Sequence, residues 1–245
     1  QVDRALAQHR AGQLAEARAL YLAILEREPK RHDCLQLLGV IHSQSDDHER
    51  AIEFIDRAIG LCPDNANYHS NRAVALQRLG RHEAALAGFE KALSLQPGHA
   101  AATIGQGNAL LDLGRWEAAA ASFRAALASR PDHAEALGNL GVALKAMGQL
   151  DAALAAFSQA IALKPDHADA WSNLGAVLHE IDRLEPALVS LDRALSVQPD
   201  HADAMLNRAI ALQKGRRLAA AVAAYERVLA LRPDLAEAWL NLSLI

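Results

Sequence analysis

The chain has 245 residues, 51% of them apolar and only 4% aromatic, with 25 Lys and Arg against 29 Asp and Glu. That is too much apolar mass for a disordered chain, and its Ala and Leu favour helices over strands. A net charge of −4 gives no basic stripe to replace phosphate counterions, so no nucleic-acid partner is expected. No apolar run approaches the roughly 20 residues of a membrane span, so no membrane insertion is expected. No secretory signal opens the chain and no Met begins it, so it reads as part of a longer protein. Cys34 and Cys62 make no disulfide framework and read as free thiols.

Periodicity dominates. Seven of the eight prolines, Pro29, Pro63, Pro97, Pro131, Pro165, Pro199 and Pro233, recur every 34 residues. Ala17, Ala51, Ala85, Ala119, Ala153, Ala187 and Ala221 repeat at the same interval. So do the large apolar residues Tyr21, Ile55, Phe89, Phe123, Phe157, Leu191 and Tyr225. With the series proline as position 32, residues 1–31 are a partial first repeat. Complete repeats follow at 32–65, 66–99, 100–133, 134–167, 168–201 and 202–235, and 236–245 begins a further one.

Each unit reads as two helices. In 134–167, Leu137, Leu140, Gly141, Leu144 and Met147 make the apolar face of a first helix. Gly148 ends it, and Ala153, Leu154, Phe157, Ala160 and Ile161 make the face of a second. Pro165 stops that helix and Asp166 opens the next, while Asp132 with Glu135 fits a capping box. Asp46, Asp182 and Arg216 stand where Gly148 does, and Gly215, one residue early, is expected to shift its turn. Small residues such as Ala153 and Gly141 let the paired helices approach, and Phe157 and its equivalents fill space between pairs. One pair cannot bury both faces alone, so the pairs stack.

A 34-residue helix–turn–helix with these landmarks resembles the tetratricopeptide repeat (TPR), most completely in Trp171-Ser172-Asn173-Leu174-Gly175 with Leu178, Ala187, Leu191, Ala194 and Pro199. The resemblance covers the whole chain. It implies an all-α, right-handed α-solenoid, a single array over 1–245 whose first helices line a concave groove. Positions 2, 5, 6, 9, 12 and 13 of each repeat would face it. Position 6 is Asn71, Asn139, Asn173, Asn207 and Asn241, with Asp3 in the partial repeat. A carboxamide both donates and accepts, so such a row suits the backbone of an extended peptide. The array is similar in this to the superhelix of O-linked N-acetylglucosamine transferases. Asn108 at position 9, with Gln77, Arg78, Lys145 and His179 at positions 12 and 13, completes the candidate groove. Co-chaperone TPRs clamp acidic C-termini with lysine at position 5, which this chain lacks.

His99, His133, His167 and His201 recur one repeat apart, too far for one metal ion, and read as turn residues beside a helix cap. Phosphate-loop, zinc-protease and nucleophile-elbow motifs are absent, so neither a catalytic nor a cofactor role is expected of this chain. The expected function is a non-catalytic scaffold binding a protein or peptide ligand in its groove. Two alternatives stand beside it: the substrate-recognition arm of a larger glycosyltransferase, and self-assembly through an apolar C-terminal edge of Trp239, Leu242 and Ile245. The resemblance to Ala-rich bacterial arrays implies a transferase domain downstream, and a cytoplasmic, bacterial location is expected.

Overall fold

A computed structural model describes residues 1–245, all helical, with fifteen helices and no strand. They form hairpins: α1 (Val2–Arg10) with α2 (Leu14–Arg27), α3 (His32–Gln44) with α4 (His48–Leu61), and α5 (Ala66–Arg78) with α6 (His82–Leu95). These are followed by α7 (Ala100–Asp112), α8 (Trp116–Ser129), α9 (Ala134–Ala146) with α10 (Leu150–Leu163), and α11 (Ala168–Glu180) with α12 (Leu184–Val197). Last come α13 (Ala202–Lys214) with α14 (Leu218–Leu231), and α15 (Ala236–Ser243). Every complete first helix spans positions 1–13 and every second helix positions 17–30. The chain forms two compact units, Gln1–Ser122 and Phe123–Ile245, whose boundary falls within α8.

The period is built into the turns. Each first helix ends on a residue with left-handed backbone: Gly12, Gly80, Gly114 and Gly148, but also Asp46 (φ 57°), Asp182 (φ 64°) and Arg216 (φ 57°). The next N–H reaches back to close the helix, as in Gln149 N–H to Leu144 O at 2.9 Å and Arg217 N–H to Leu212 O at 2.9 Å. Gly215 therefore shifts nothing: it keeps φ −75° and leaves Arg216 in the strained place, because packing of both helices fixes the register. Second helices end where the residue before proline becomes extended, as at Gln96 (φ −140°, ψ 92°).

The helix starts correct the sequence reading by one residue. The cap of α9 is His133, not Asp132, and that of α11 is His167, not Asp166. His99, His133 and His201 accept, through Nδ1, the N–H of Ala102, Ala136 and Ala204. The imidazole thus takes the role usually filled by Ser, Thr or Asp.

In the first unit Tyr21, Ile55 and Phe89 are fully buried, with Ala17, Ala51 and Ala85 where the helices cross. In the second, Phe157, Leu191 and Tyr225 do the same beside Ala153, Ala187 and Ala221. The small residues are spatially required. A Cβ on Gly141 would come 2.6 Å from Cε1 of Phe157, and one on Gly175 2.6 Å from Cγ of Leu191. The large residue thus covers its own hairpin. It also reaches onward, since a Cβ on Gly105 of α7 would collide with the Phe89 ring of α6. Both cysteines are free; Cys34 is buried, which pushes its thiol up to about 11.

At position 7, where Leu38, Leu140, Leu174 and Leu242 stand in other repeats, Arg4, Arg72 and Arg208 place cations. Arg72 donates Nε to Asp56 at 2.5 Å, and Arg208 donates to Asp192 at 2.6 Å. Their stems cover apolar surface while the heads tie α5 to α4 and α13 to α12.

Candidate functional site

In the first unit the first-helix face opens a pocket of about 390 Å³. Val40 and Val74, on α3 and α5, line it at position 9, with Ile55 of α4. Asn71, Ser43 and Gln44 add hydrogen-bonding groups, and Arg78, Asp46 and His48 add charge or a titratable ring. The helical period explains the set: positions 6, 9 and 13 share a face, so Asn71, Val74 and Arg78 align along α5. Val74 is unusually exposed for valine, at 40%, and Arg78 is exposed without an ion pair. Beside them lies a half-buried Asn71 carboxamide. An apolar patch next to a carboxamide and an uncommitted guanidinium can hold an aliphatic side chain and the polar groups around it.

The structure brings together Asn71 and Arg78 of the expected residues. Gln77, one residue before Arg78, is turned to α7, where its Nε2 donates to Oδ2 of Asp112 at 2.6 Å. Asn108 is half-buried on α7 and already has a partner. Ser43, Gln44 and His48 are not singled out by the sequence, and Asp46 is read there only as a turn residue. Ser43 and Gln44 hold positions 12 and 13, so the register would have found them.

In the second unit Asn139, Asn173, Asn207 and Asn241 occupy position 6 of α9, α11, α13 and α15, each half-buried. Asn173 donates one Nδ2 N–H to the carbonyl of Asp169 in its own helix at 3.0 Å, leaving its second N–H and its Oδ1. Asn139 has a partner. Lys145 and His179 hold position 12 of α9 and α11, both half-buried. Burial, then the nearby charge of Lys214, lowers the pKa of His179 below the ordinary histidine value. Lys214 binds the His179 carbonyl at 3.2 Å and Asp182 at 3.0 Å. Gln213 accepts the Tyr225 hydroxyl at 2.7 Å.

At the C-terminal edge Trp239 is 55% exposed, with its indole N–H on the Pro233 carbonyl. Leu242 is half-buried against the core of its unit, so Leu240 and Leu244 are the more exposed leucines there. No group of histidine, cysteine and acidic residues is arranged to hold a metal ion, and no helix is long and apolar enough to cross a membrane.

Comparison with known proteins agrees with this architecture. The tetratricopeptide repeat pattern matches residues 2–66, 70–134, 104–146, 185–236 and 206–245, with further repeat matches at 143–182 and 168–201. No curated protein matched the sequence. Among solved structures, a chain of the APC/C hetero-tetramer Cut9-Hcn1 has a TM-score of 0.85 at 17% identity over 98% of this chain, which spans 47% of that one. PilF of Pseudomonas aeruginosa has a TM-score of 0.76 at 19% identity, covering 90% of this chain and all of that one. YrrB, a TPR protein with an unusual peptide-binding site, is 26% identical with a TM-score of 0.61, over 76% of this chain and 95% of its own. The first two likenesses are of fold alone. With the repeat pattern matched over most of its length, the chain belongs to the tetratricopeptide repeat family.

Proposed function

We propose that this chain is a non-catalytic interaction module that holds an extended peptide segment of a partner protein along its first-helix face. The observation that carries this reading is the pocket over α3 and α5. There the exposed Val74 and the half-buried Val40 line the pocket beside the Asn71 carboxamide and the unpaired Arg78. Apolar side chains of the segment would sit on the valines, and its main chain would meet Asn71. YrrB, similar in fold and 26% identical, is a TPR protein with a peptide-binding site, which supports the same assignment here.

The resemblance to a glycosyltransferase recognition arm rests on the row of carboxamides at position 6. Here position 6 is Leu37 in one repeat and Gly105 in another, and Asn173 commits one of its two N–H donors to its own helix. That favours the plain peptide module. The chain as one continuous array from 1 to 245 is part of the proposal, since register is kept at every hairpin.

The test is selection of binders from a random peptide library on the intact chain, followed by affinity measurement on N71A and R78A. A loss of about tenfold per variant, of the order of one charge-assisted or buried hydrogen bond, with unchanged circular dichroism is expected. Selected peptides that bind both variants as tightly as the parent chain would overturn the groove assignment.

A further inference from the structure

A second pocket, of about 310 Å³, lies in the second unit and away from the asparagine face. It is lined by Asp192, Leu195 and Ser196 of α12, Met205 and Arg208 of α13, and Ala224 and Arg227 of α14. At about 100° per residue, Met205 and Arg208 fall on the side of α13 opposite Asn207 and Ile210.

The repeat itself supplies the comparison. At position 4, Trp171 and Trp239 donate their indole N–H to the carbonyls of Pro165 and Pro233 at 3.0 and 2.9 Å. His69 Nε2 meets the carbonyl of Pro63 at 2.7 Å. Met205 holds the same position and its thioether has no proton to give. Only Arg227 Nη2, at 3.4 Å, approaches the carbonyl of Pro199. A slim, flexible side chain therefore stands where three other repeats carry a ring; Leu35, Thr103 and Leu137 hold the position elsewhere.

Charge is unbalanced at the mouth. Asp192 is the only carboxylate among the lining residues, and Arg208 takes it through Nε at 2.6 Å. Arg227 is exposed and has no carboxylate partner. Ser196 turns its hydroxyl onto the Arg193 carbonyl at 2.7 Å. Leu195, Met205 and Ala224 give the apolar floor. Two guanidinium groups over an apolar floor, with one carboxylate between them, leave a net positive site shaped for an apolar group joined to an anion.

We propose that this pocket docks an acidic peptide segment of a partner protein, an aliphatic side chain resting on Leu195, Met205 and Ala224 and the adjoining carboxylate meeting Arg227 and the free edge of Arg208. An exposed ion pair alone contributes little, so the apolar anchor and the charge must act together. A peptide segment presents both from adjoining residues and adds main-chain contacts along the mouth that a free small acid lacks.

The chain carries two methionines, Met147 and Met205, so their ¹³C-labelled methyl groups give one reporter at the pocket and one away from it. The probe is the blocked peptide Ac-Gly-Leu-Asp-Leu-Gly-NH₂, titrated alongside its Asn counterpart and 4-methylvalerate. The Asp peptide is expected to shift the Met205 methyl and leave Met147 in place. The Asn peptide and the R227Q variant should each bind about tenfold more weakly, the usual scale of a charge-assisted contact. M205W, which installs the residue already accommodated at positions 171 and 239, should remain folded and lose binding. The proposal is overturned by equal affinity for the Asn peptide, by undiminished binding to M205W, or by a Met205 methyl that no peptide moves. Binding of 4-methylvalerate as tight as the Asp peptide would overturn it too, in favour of a small-acid site.

Discussion

His201 ties one hairpin to the one before it: its Nε2 lies 3.0 Å from Oδ1 of Asp169. Its Nδ1 lies 3.3 Å from the backbone nitrogen of Ala204. A neutral ring with its proton on Nε2 satisfies both contacts, donating to the carboxylate and accepting at the cap. In the first unit His99 repeats the arrangement with Asn67 at 3.0 Å and Ala102 at 3.1 Å. Replacing His201 by Ala removes the cap and the tie between helices, so a stability loss of about 1–2 kcal/mol is expected. H201N retains the cap but falls short of Asp169 and should lie between. Urea unfolding followed by circular dichroism checks the order; an H201A midpoint equal to that of the parent chain would refute this role for the imidazole.

Those histidines mark where sequence reading stops. The period, the hairpins and the buried small and large series were legible, because each follows from spacing along one chain. The cap was placed one residue early because Asp132 and His133 can both accept a hydrogen bond. What decides between adjacent acceptors is longer in range: His201 reaches a residue 32 positions earlier. The groove was legible in the same graded way. Register placed Asn71 and Arg78 on one face, but it did not reveal that Gln77 turns to Asp112 or that Asn173 bonds Asp169. Side-chain commitments of that kind are settled by neighbours, not by spacing.

The turn after α13 carries removable strain. Arg216 has φ 57°, a conformation that disfavours a side chain, and Gly215 beside it has no need of its freedom at φ −75°. R216G should raise stability by about 0.5–1 kcal/mol, less the entropy gained by the unfolded chain. Asp182 has the same geometry, but its contact with Lys214 at 3.0 Å offsets part of any gain, so R216G is the cleaner variant. A lower thermal midpoint for R216G would show that Arg216 makes a contact worth more than its strain.

Packing interrupts the asparagine series at Gly105. Position 8 of the preceding repeat is Ala73, not Gly, and the Phe89 ring leans onto Gly105, where any Cβ would collide with it. G105N would complete the row of carboxamides in the groove and is expected to cost about 1–3 kcal/mol through overpacking. The equivalent of Phe89 before Asn207 is Leu191, so F89L in the G105N background should return part of that loss. Full stability in G105N alone would mean that something other than Phe89 excludes asparagine there.

Stability should fall at both ends of the pH range, with His179 contributing at the acid end and Tyr225 at the alkaline end. Burial, then the charge of Lys214, holds the His179 pKa below 6.5, and its Nε2 is enclosed without a hydrogen-bond partner. Above pH 6.5 the ring is neutral in both folded and unfolded chains. Below it the unfolded chain takes up the proton first, so stability declines with falling pH until the folded value is passed. At the other end, burial pushes the Tyr225 hydroxyl from 10 up to about 12. Its contribution is intact below pH 10 and is lost as pH rises toward 12, because only the unfolded phenol ionises in that interval. Urea midpoints measured across pH on H179Q and Y225F separate the two. H179Q should flatten the upper part of the acid limb, with Asp33 and Glu135, both held below the ordinary carboxylate value, still weakening the fold at lower pH. Y225F should flatten part of the alkaline limb, the rest remaining with the buried Cys34, Tyr21 and Tyr68. An acid limb unchanged in H179Q would place the titrating group elsewhere and leave His179 free to charge in the folded chain.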